Sequence, residues 1–405
     1  MRINDWYLFS DAEKLSFLRE YKMKVPIPYF GGKSLIGKYL ICHINNMAVQ
    51  MALDENERNG SKSNILHKQD IFIDAFTGGG KMGTSMGASG MFKTIIMNDI
   101  DYGIYSFYKV AQSDNYLDLI KTINWLCNKM DVELFHLIAY IRENTELDEV
   151  MAGAMTYLLT SCSFNSITSP DTCSYAATMK TYGERGFLDG VKAKANKKIP
   201  QLHYILSNSS TTNSSHYIIE NLDYKELIKK YNGKPWMDLL GNLHDPIEEY
   251  KDKSKLWYFD EPYDADTMRG VIAPYSNSFP LSETEAIVEI LSGSREKEFG
   301  EIKYFIRSNY DPKWAVEDAK IQKNKKSQYY MNNKKAYEYL INNQLTISHK
   351  YDSIEDKAKG FIKLCLGGFD RNVITKEDGR PTGYEYIWTH GFASDYDKIT
   401  KEYEL

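Results

Sequence analysis

Short apolar segments of the strand type recur along this chain, and helical segments separate several of them. They lie at residues 70–76, 93–99, 216–223, 256–263, 302–310, 360–368 and 384–391. Strands that alternate with helices are typical of a mostly parallel sheet with helices on both faces. The sequence therefore predicts an α/β fold with a doubly wound sheet, and such sheets bind their ligands at the carboxyl ends of the strands.

One of these segments ends in a group of chemically useful residues. The apolar run Leu256–Phe259 leads directly into Asp260, Glu261, Pro262 and Tyr263. Because proline cannot continue a central strand, the strand ends here and presents these groups at the ligand-binding edge. We hypothesise that the Asp260 carboxylate and the Glu261 carbonyl accept the hydrogens of an exocyclic base amine, while Tyr263 stacks on the extruded base. An ordinary turn without a ligand is the alternative for these residues taken alone.

A glycine-rich turn follows the first strand segment. Gly78, Gly80 and Gly83 form a Gly-x-Gly-x-x-Gly pattern, and Asp99 ends the next strand at the position of a ribose-binding acid. Asp74 stands immediately before the turn, where a carboxylate would repel a pyrophosphate. It would attract the α-amino group and the sulfonium of S-adenosylmethionine instead. A dinucleotide-dependent dehydrogenase is the disfavoured alternative, and a tight turn without a ligand is the other.

The length of the chain indicates more than one small core. At 405 residues, two domains or one large domain with an insertion are expected. We predict a cofactor-binding half at residues 1–115, an inserted subdomain at 116–214 and a catalytic half at 215–405. The catalytic half carries a lysine-rich insertion near 318–340.

The composition is that of an ordinary globular protein and excludes a strongly basic nucleic-acid binder. The net charge is −5, so phosphate contacts would fall to local basic runs at residues 180–198 and 318–335, which otherwise are solvated loops. The five cysteines and eight histidines have no metal-ligand spacing, so no metal is expected. We found no signal-peptide pattern and no long apolar span, and we therefore expect a cytoplasmic protein without a membrane contact.

Taken in order over nearly the full length, the motifs resemble those of the DNA adenine-N6 methyltransferase family of the Dam type. The loop with Tyr29, Gly32 and Lys33 resembles the family's cofactor element. The other matching positions are Asp74, Phe76, Gly78 and Gly80 in the S-adenosylmethionine loop, Asp99 as the acid that holds the ribose hydroxyls, Asp223 as the acid near the cofactor's adenine amine, and the segments 308–310 and 385–390 as fifth-strand and closing-strand motifs.

This resemblance implies a fold, a reaction and a partner. The fold is that of a class I methyltransferase, a seven-stranded mixed sheet with an inserted, mainly helical target-recognition subdomain at 116–214. The reaction is methyl transfer from S-adenosylmethionine to N6 of adenine in double-stranded DNA after base flipping, with Asp260, Glu261, Pro262 and Tyr263 as the catalytic residues. A restriction–modification system, a phage or a chromosomal regulator all fit such an enzyme, and the target sequence and the oligomeric state stay open.

The chain departs from the family's pattern at two places. Glu261 replaces the first proline of the usual Asp-Pro-Pro-Tyr motif and brings a second carboxylate to the base pocket, so Glu261→Pro is expected to keep or raise activity. The second departure is in the family's recognition element, Phe-Asn-Gly followed by an arginine. Its nearest match is the segment 164–166, which has serine in place of glycine and no arginine directly after it. Two alternatives therefore stay open: a relative of low or no activity that binds cofactor and DNA, and a methyltransferase that acts on adenine in RNA or in a nucleoside.

Overall fold

The architecture is known from a computed structural model. It describes residues 3–10, 13, 27–28, 37–61, 65–163, 166, 168–170, 173–176, 183–207, 215–262, 279–291, 293–309, 369–370 and 384–390. The helices are α1 (Ile3–Leu8), α2 (Gly37–Arg58), α3 (Lys81–Ser89), α4 (Tyr102–Gln112), α5 (Tyr116–Lys129), α6 (Val132–Asn144), α7 (Glu149–Cys162), α8 (Gly183–Leu206), α9 (Tyr224–Tyr231), α10 (Glu248–Lys251), α11 (Leu281–Leu291) and α12 (Glu296–Phe299). The strands are β1 (Gln69–Asp74), β2 (Phe92–Asn98), β3 (His216–Glu220), β4 (Trp236–Met237), β5 (Leu243–His244), β6 (Lys255–Phe259), β7 (Phe305–Asn309), β8 (Phe369–Asp370) and β9 (Tyr384–His390).

The main sheet has five parallel strands at its centre, in the order β3-β2-β1-β6-β7. At the β7 edge, β9 pairs antiparallel with β7 and the two-residue β8 pairs antiparallel with β9. Strands β4 and β5 form a separate hairpin. The predicted α/β class with a parallel sheet is confirmed.

The strand order reverses between β1 and β6. From β1 the chain moves outward through β2 to β3, and it then returns to lie on the other side of β1 as β6. At such a reversal the connections leave in opposite directions and open a crevice outside the carboxyl ends of the strands. The ends of β1 and β6 are the positions of Asp74 and Asp260, so the fold brings two predicted functional acids to the crevice.

Hydrophobic side chains cover both faces of the sheet, because successive strand residues point to opposite sides. In β1, Phe72 joins the core beneath the helices from α1 to α8, and Ile71 and Ile73 join a second core beneath α9, α11 and α12. In β6, Tyr258 and Trp257 divide in the same way. The sheet is thus doubly wound, as the continuous apolar character of its strands indicated.

Helices α5 to α8 occupy most of the predicted insertion. Their buried residues, among them Leu119, Phe135, Leu158 and Leu202, belong to the same hydrophobic cluster as Phe72 of the sheet. The helices therefore pack onto the α/β core and share its interior. The domain boundaries at 116 and 214 stay a prediction, and the basic insertion near 318–340 lies outside the described residues.

The strands begin and end close to the predicted segments, with the strand ends shortened by one to four residues where the chain turns out of the sheet. The predicted segment 360–368 lies outside the described residues. Of the helices that the structure describes, none combines the length and the apolarity needed to cross a bilayer.

The packing of α7 against α4 generates a testable prediction. A Cβ at Gly153 of α7 would lie 2.9 Å from the Phe107 Cα of α4, so Gly153→Ala should force the helices apart and lower the free energy of unfolding by about 1–3 kcal/mol. Chemical denaturation measures the effect.

Gly190→Ala is the matched control in α8. A Cβ at that position meets nothing within 4 Å, so it should stabilise the protein by about 0.5–1 kcal/mol through a less flexible unfolded chain. Equal effects of the two substitutions would contradict the close packing of α7 on α4.

Candidate active site

Four predicted acids lie at one edge of the sheet, each at the carboxyl end of a parallel strand. Asp74 ends β1, Asp99 follows β2, Asp223 lies shortly after β3 and Asp260 follows β6. The four strands are neighbours in the sheet, in the order β3-β2-β1-β6. The fold therefore brings together acids that are up to 186 positions apart in the sequence (260 − 74).

The glycine turn between β1 and α3 needs glycine for two physical reasons. Gly78 and Gly80 have φ values of 47° and 67°, in the left-handed region that favours glycine. A Cβ at Gly80 would also lie 2.0 Å from the hydroxyl oxygen of Tyr108. The sequence pattern predicted the turn correctly, and the structure adds Tyr108 as the group that closes over it.

Asp74 is buried and lies at the base of the turn. Its Oδ2 accepts a hydrogen bond from the Gly83 amide at 3.0 Å, while Oδ1 has no hydrogen-bond partner among the described residues. Burial, followed by the neighbouring charges of Asp260 and Asp99, raises the pKa of Asp74 to about 8. The side chain is thus held in place but destabilised as an anion.

Asp99 is attached to the glycine turn from the side of β2. Its Oδ2 accepts from the Gly78 amide at 2.7 Å, and its Oδ1 accepts from the Asp101 amide at 3.0 Å. Burial and the adjacent Asp101 carboxylate raise the pKa of Asp99 to about 7. These bonds fix the carboxylate at the mouth of the turn, as expected of an acid that binds ligand hydroxyls.

Asp101 connects the Asp99 loop to the helices of the insertion. Its side chain caps α4 through the amides of Gly103 and Ile104, and both of its carboxylate oxygens contact the Arg142 guanidinium of α6. Arg142 also donates from Nε to the Thr156 hydroxyl of α7 at 2.9 Å. A mostly buried ion pair therefore links the insertion to Asp101, two positions after Asp99.

Asp223 occupies the start of α9. Its side chain accepts from the Lys225 amide at 2.8 Å, which is the geometry of a helix N-cap. Burial raises the pKa of Asp223 from its ordinary value. Capping explains the position of this carboxylate and leaves its second oxygen for a further contact.

Asn98 fastens three of these loops to one another. This buried side chain donates from Nδ2 to the carbonyls of Ala75 at 3.1 Å and Leu222 at 3.0 Å, and its Oδ1 accepts from the Leu222 amide at 3.0 Å. Ala75 follows Asp74, and Leu222 precedes Asp223. One amide therefore sets the spacing of the acid-bearing loops, a role that the sequence reading missed because nothing in the local pattern marks it.

Tyr108 is a second residue that the sequence reading missed. It is buried in α4, and its hydroxyl has no hydrogen-bond partner among the described residues. Burial and the charges of Asp74 and Asp99 raise the pKa of Tyr108 well above its ordinary value, so it stays protonated and offers a donor to the crevice. Only its helical spacing is visible in the sequence, and that spacing predicts core packing.

At the catalytic corner, Asp260 is half-buried and Glu261 is 2% exposed. The Glu261 Oε1 accepts from Nε of Arg307 at 2.6 Å and also contacts Arg307 Nη2. Arg307 lies in β7, paired in register with Phe259 of β6, and is itself 2% exposed. The Glu261 carboxylate is therefore paired with a cation inside the protein, a partner that the sequence analysis did not predict.

Phe76 belongs to an aromatic cluster beside this corner. Its ring lies 5.5 Å from Tyr224, 6.5 Å from Phe259 and 5.8 Å from Phe279, measured between ring centroids. Phe279 thus packs against neighbours on its own side of the sheet. The cluster supports the loops that carry Asp74 and Asp260.

Several predicted site residues lie outside the described residues. They are Tyr29, Gly32, Lys33 and Tyr263, together with the 164–165 segment. Their proposed roles stay predictions.

The residues present fit a cationic ligand. The unpartnered Oδ1 of Asp74 points to a missing donor, and Asp74, Asp99 and Asp260 lie close enough for their charges to raise the pKa of Asp74. A positive group such as the α-amino group or sulfonium of S-adenosylmethionine would supply the donor and relieve the repulsion.

Residues 59–238 match the family model described as D12 class N6 adenine-specific DNA methyltransferase. This match, over somewhat less than half of the chain, confirms the family resemblance, the adenine-N6 methylation of DNA and the S-adenosylmethionine cofactor that the motifs predicted. The match includes Asp74, Asp99 and Asp223 and ends before Asp260. A comparison with curated proteins finds no match.

Asp74→Asn tests the buried charge. The folded state raises the Asp74 pKa from 3.8 to about 8, so ionisation of Asp74 destabilises the fold increasingly as the pH rises across that interval. The neutral variant should be more stable than the parent by on the order of 5 kcal/mol at pH 8, with the difference vanishing near pH 4. Thermal unfolding across this pH range measures it, and calorimetry should show at least a tenfold loss of cofactor affinity.

Asp114→Asn is the control, because Asp114 is exposed between α4 and α5. It should change neither the pH dependence of stability nor cofactor binding. A parent and an Asp74→Asn variant with equal stability at pH 8 would contradict the charge repulsion described for the crevice.

Proposed function

We propose that Asp260, Glu261, Pro262 and Tyr263 form the catalytic corner of this D12-class methyltransferase. The reaction is methylation of N6 of adenine in double-stranded DNA after the base is flipped out of the duplex. The observation that carries the proposal is the position of Asp260 beside Asp74 at the reversal of strand order, where ligands bind in sheets of this kind. An acceptor for the base amine thus adjoins an acid suited to a cationic methyl donor.

The proposed cofactor-binding residues surround the glycine turn. When bound, S-adenosylmethionine supplies an electrophilic methyl group on a sulfonium. Asp74 would accept from its amino group, and Asp99 would accept from its ribose hydroxyls. The full proposed set is Tyr29, Gly32, Lys33, Asp74, Phe76, Gly78, Gly80, Asp99 and Asp223, with the roles that the family resemblance implies.

The acceptor pair performs the chemistry on the base. The lone pair of an exocyclic amine is delocalised into the ring, so the amine is a weak nucleophile. The Asp260 carboxylate and the Glu261 carbonyl would each accept one amine hydrogen and thereby localise the lone pair on nitrogen. Pro262 restricts the turn through its fixed φ, and Tyr263 would stack on the flipped base. Positioning and preorganised acceptors, with no covalent intermediate, would then account for the rate.

The finer fold assignment is also a proposal. The parallel strands and the two antiparallel strands beside β7 follow the order β3-β2-β1-β6-β7-β9-β8, which supports the seven-stranded mixed sheet of class I methyltransferases. Residues 116–214 would form the target-recognition subdomain. We further propose that the enzyme acts on DNA in the cytoplasm, within a restriction–modification, phage or regulatory setting.

The alternative of an inactive relative depended on Glu261. Because the Glu261 carboxylate pairs with Arg307 in the interior, it does not face the base as a free anion, and this reason for inactivity is removed. The alternative of an RNA or nucleoside substrate is tested by adding each as a competitor in the transfer assay described next.

Asp260→Ala should lower methyl transfer by at least about 100-fold, because one of the two acceptors for the amine hydrogens is lost. It should leave the dissociation constant of S-adenosylmethionine within about threefold, because the residues proposed to bind the cofactor lie on other loops. Tritiated-methyl incorporation into a mixed duplex library measures transfer, and calorimetry measures binding. Asp252→Ala, at the opposite end of β6, should keep full activity.

Two results would overturn parts of the proposal. Near-full transfer by Asp260→Ala would exclude the acceptor pair. Absence of transfer by the parent protein, with cofactor binding intact, would restore the inactive relative as the better description.

A further inference from the structure

We propose that Arg307 is a positioning residue for methyl transfer. Through its buried ion pair with Glu261, it would fix the backbone of the turn whose Glu261 carbonyl accepts a hydrogen of the target amine. The inference rests on the proposed function and deepens it, because it assigns to a strand outside the tetrapeptide the rigidity that a proline provides in the usual motif.

Glu261 is restrained through its carboxylate, which is held by Arg307. Its backbone follows directly on β6, and its carboxylate is bonded to Arg307 in the adjacent parallel strand β7. Two nitrogens of the guanidinium, Nε and Nη2, contact the same Oε1. Because Arg307 is flanked in β7 by the buried Ile306, its own position is set by the sheet. A side chain anchored in this way limits the backbone rotation of Glu261.

Proline achieves the same restraint by another route. Its ring fixes φ near −65° and removes the amide hydrogen, so the residue is rigid without any partner. Glutamate has a free φ, and a free residue at this position would lose conformational entropy each time the carbonyl is oriented. Anchoring to a neighbouring strand restores the restraint, and it requires a cation at position 307.

The ion pair also neutralises the charge of Glu261 beside Asp260. Asp260 and Asp74 already interact unfavourably, as the raised pKa of Asp74 indicates. A third uncompensated carboxylate at position 261 would add to this repulsion in a region of low dielectric constant. Arg307 neutralises Glu261, so the corner keeps a single functional carboxylate, Asp260, beside the amine.

The ion pair between Glu261 and Arg307 changes the expected outcome for the proline variant. Glu261→Pro restores the usual motif but leaves the Arg307 guanidinium buried without that carboxylate, which strongly destabilises proteins. We therefore expect Glu261→Pro alone to lose stability and activity, in contrast to the expectation from the sequence. The paired change Glu261→Pro with Arg307→Met should recover both, because a proline next to an apolar side chain needs no counter-ion.

The experiment compares five proteins: the parent, Glu261→Gln, Arg307→Met, Glu261→Pro and the Glu261→Pro/Arg307→Met double variant. For each, single-turnover transfer to duplex DNA, cofactor dissociation constant and thermal unfolding are measured. We expect kcat to fall about 10- to 100-fold in Arg307→Met and Glu261→Pro and about 3- to 10-fold in Glu261→Gln, whose neutral amide keeps a weaker hydrogen bond to Arg307. In the double variant kcat should return to within about threefold of the parent. The cofactor dissociation constant should stay within about threefold throughout, since the anchored turn does not include the proposed cofactor ligands.

A purely structural ion pair gives a different pattern. Lys93→Met is the control. It removes an ion pair of 2.7 Å with Asp70, which joins β2 to β1 near the amino ends of these strands, away from the proposed site. It should leave kcat per folded molecule unchanged. If Arg307→Met or Glu261→Gln behaved in this way, with altered stability and full kcat, the positioning role would be wrong. A double variant that folds but does not transfer would also overturn it.

The outcomes separate this inference from the proposed function. If the parent protein transfers no methyl group, the proposed function fails. If the parent transfers methyl groups and Asp260→Ala does not, while Arg307→Met keeps full kcat, only the positioning role fails. Glu261→Gln preserves the size of the side chain and a hydrogen bond to Arg307, so it supplies the kcat comparison even if the other single variants do not fold.

Discussion

Repulsion among buried carboxylates is the constraint around which this active-site edge is built. Asp74, Asp99 and Asp260 end or follow neighbouring strands, and burial together with the charges of Asp260 and Asp99 raises the pKa of Asp74 to about 8. Burial and the Asp101 carboxylate raise the pKa of Asp99 to about 7. A protein free to optimise stability alone would not place these groups together. A cationic ligand in the crevice would explain this arrangement, because its binding would offset the electrostatic repulsion among the carboxylates that is present in the folded protein. Affinity for a positive methyl donor and marginal stability of the ligand-free protein have the same physical origin.

The surrounding structure limits this repulsion to the place where it is useful. Backbone amides of Gly78 and Gly83 each bond one of the acids, and Arg142 neutralises Asp101 beside Asp99. On the other side of the crevice, Arg307 neutralises Glu261 beside Asp260. The two arginines come from opposite directions, one from the helical insertion and one from the sheet. Each arginine neutralises an acid that lies one or two positions after a residue proposed to act on a ligand. The negative charge that remains is therefore carried by Asp99 and Asp260 themselves.

The sequence predicted what local pattern and spacing encode. Apolar strands, the glycine turn and acids at strand ends are visible in short windows, and the match over residues 59–238 confirms the family to which they point. The residues that were missed act over long distances. Arg307 reads as part of an apolar strand, and its partner is 46 positions away, so their contact depends on the register of β6 and β7. Asn98 and Tyr108 likewise gain their roles only when separate loops are brought together, which no single sequence window can specify.

Asn98 has a consequence for the segment that we propose to recognise DNA. Its bonds to Leu222 join positions that are 124 residues apart, so the whole excursion through α4 to β3 leaves and re-enters the core at one closed point. The entropy of closing such a loop grows only slowly with its length. Loops between these helices can therefore be lengthened at little cost while Asp74, Asp99 and Asp223 keep their spacing, whereas the buried faces of α5 to α8 must still fit the core that they share with the sheet. If this segment recognises DNA, as we propose, its exposed loops can change with the target sequence while the acids at the edge of the sheet stay in place.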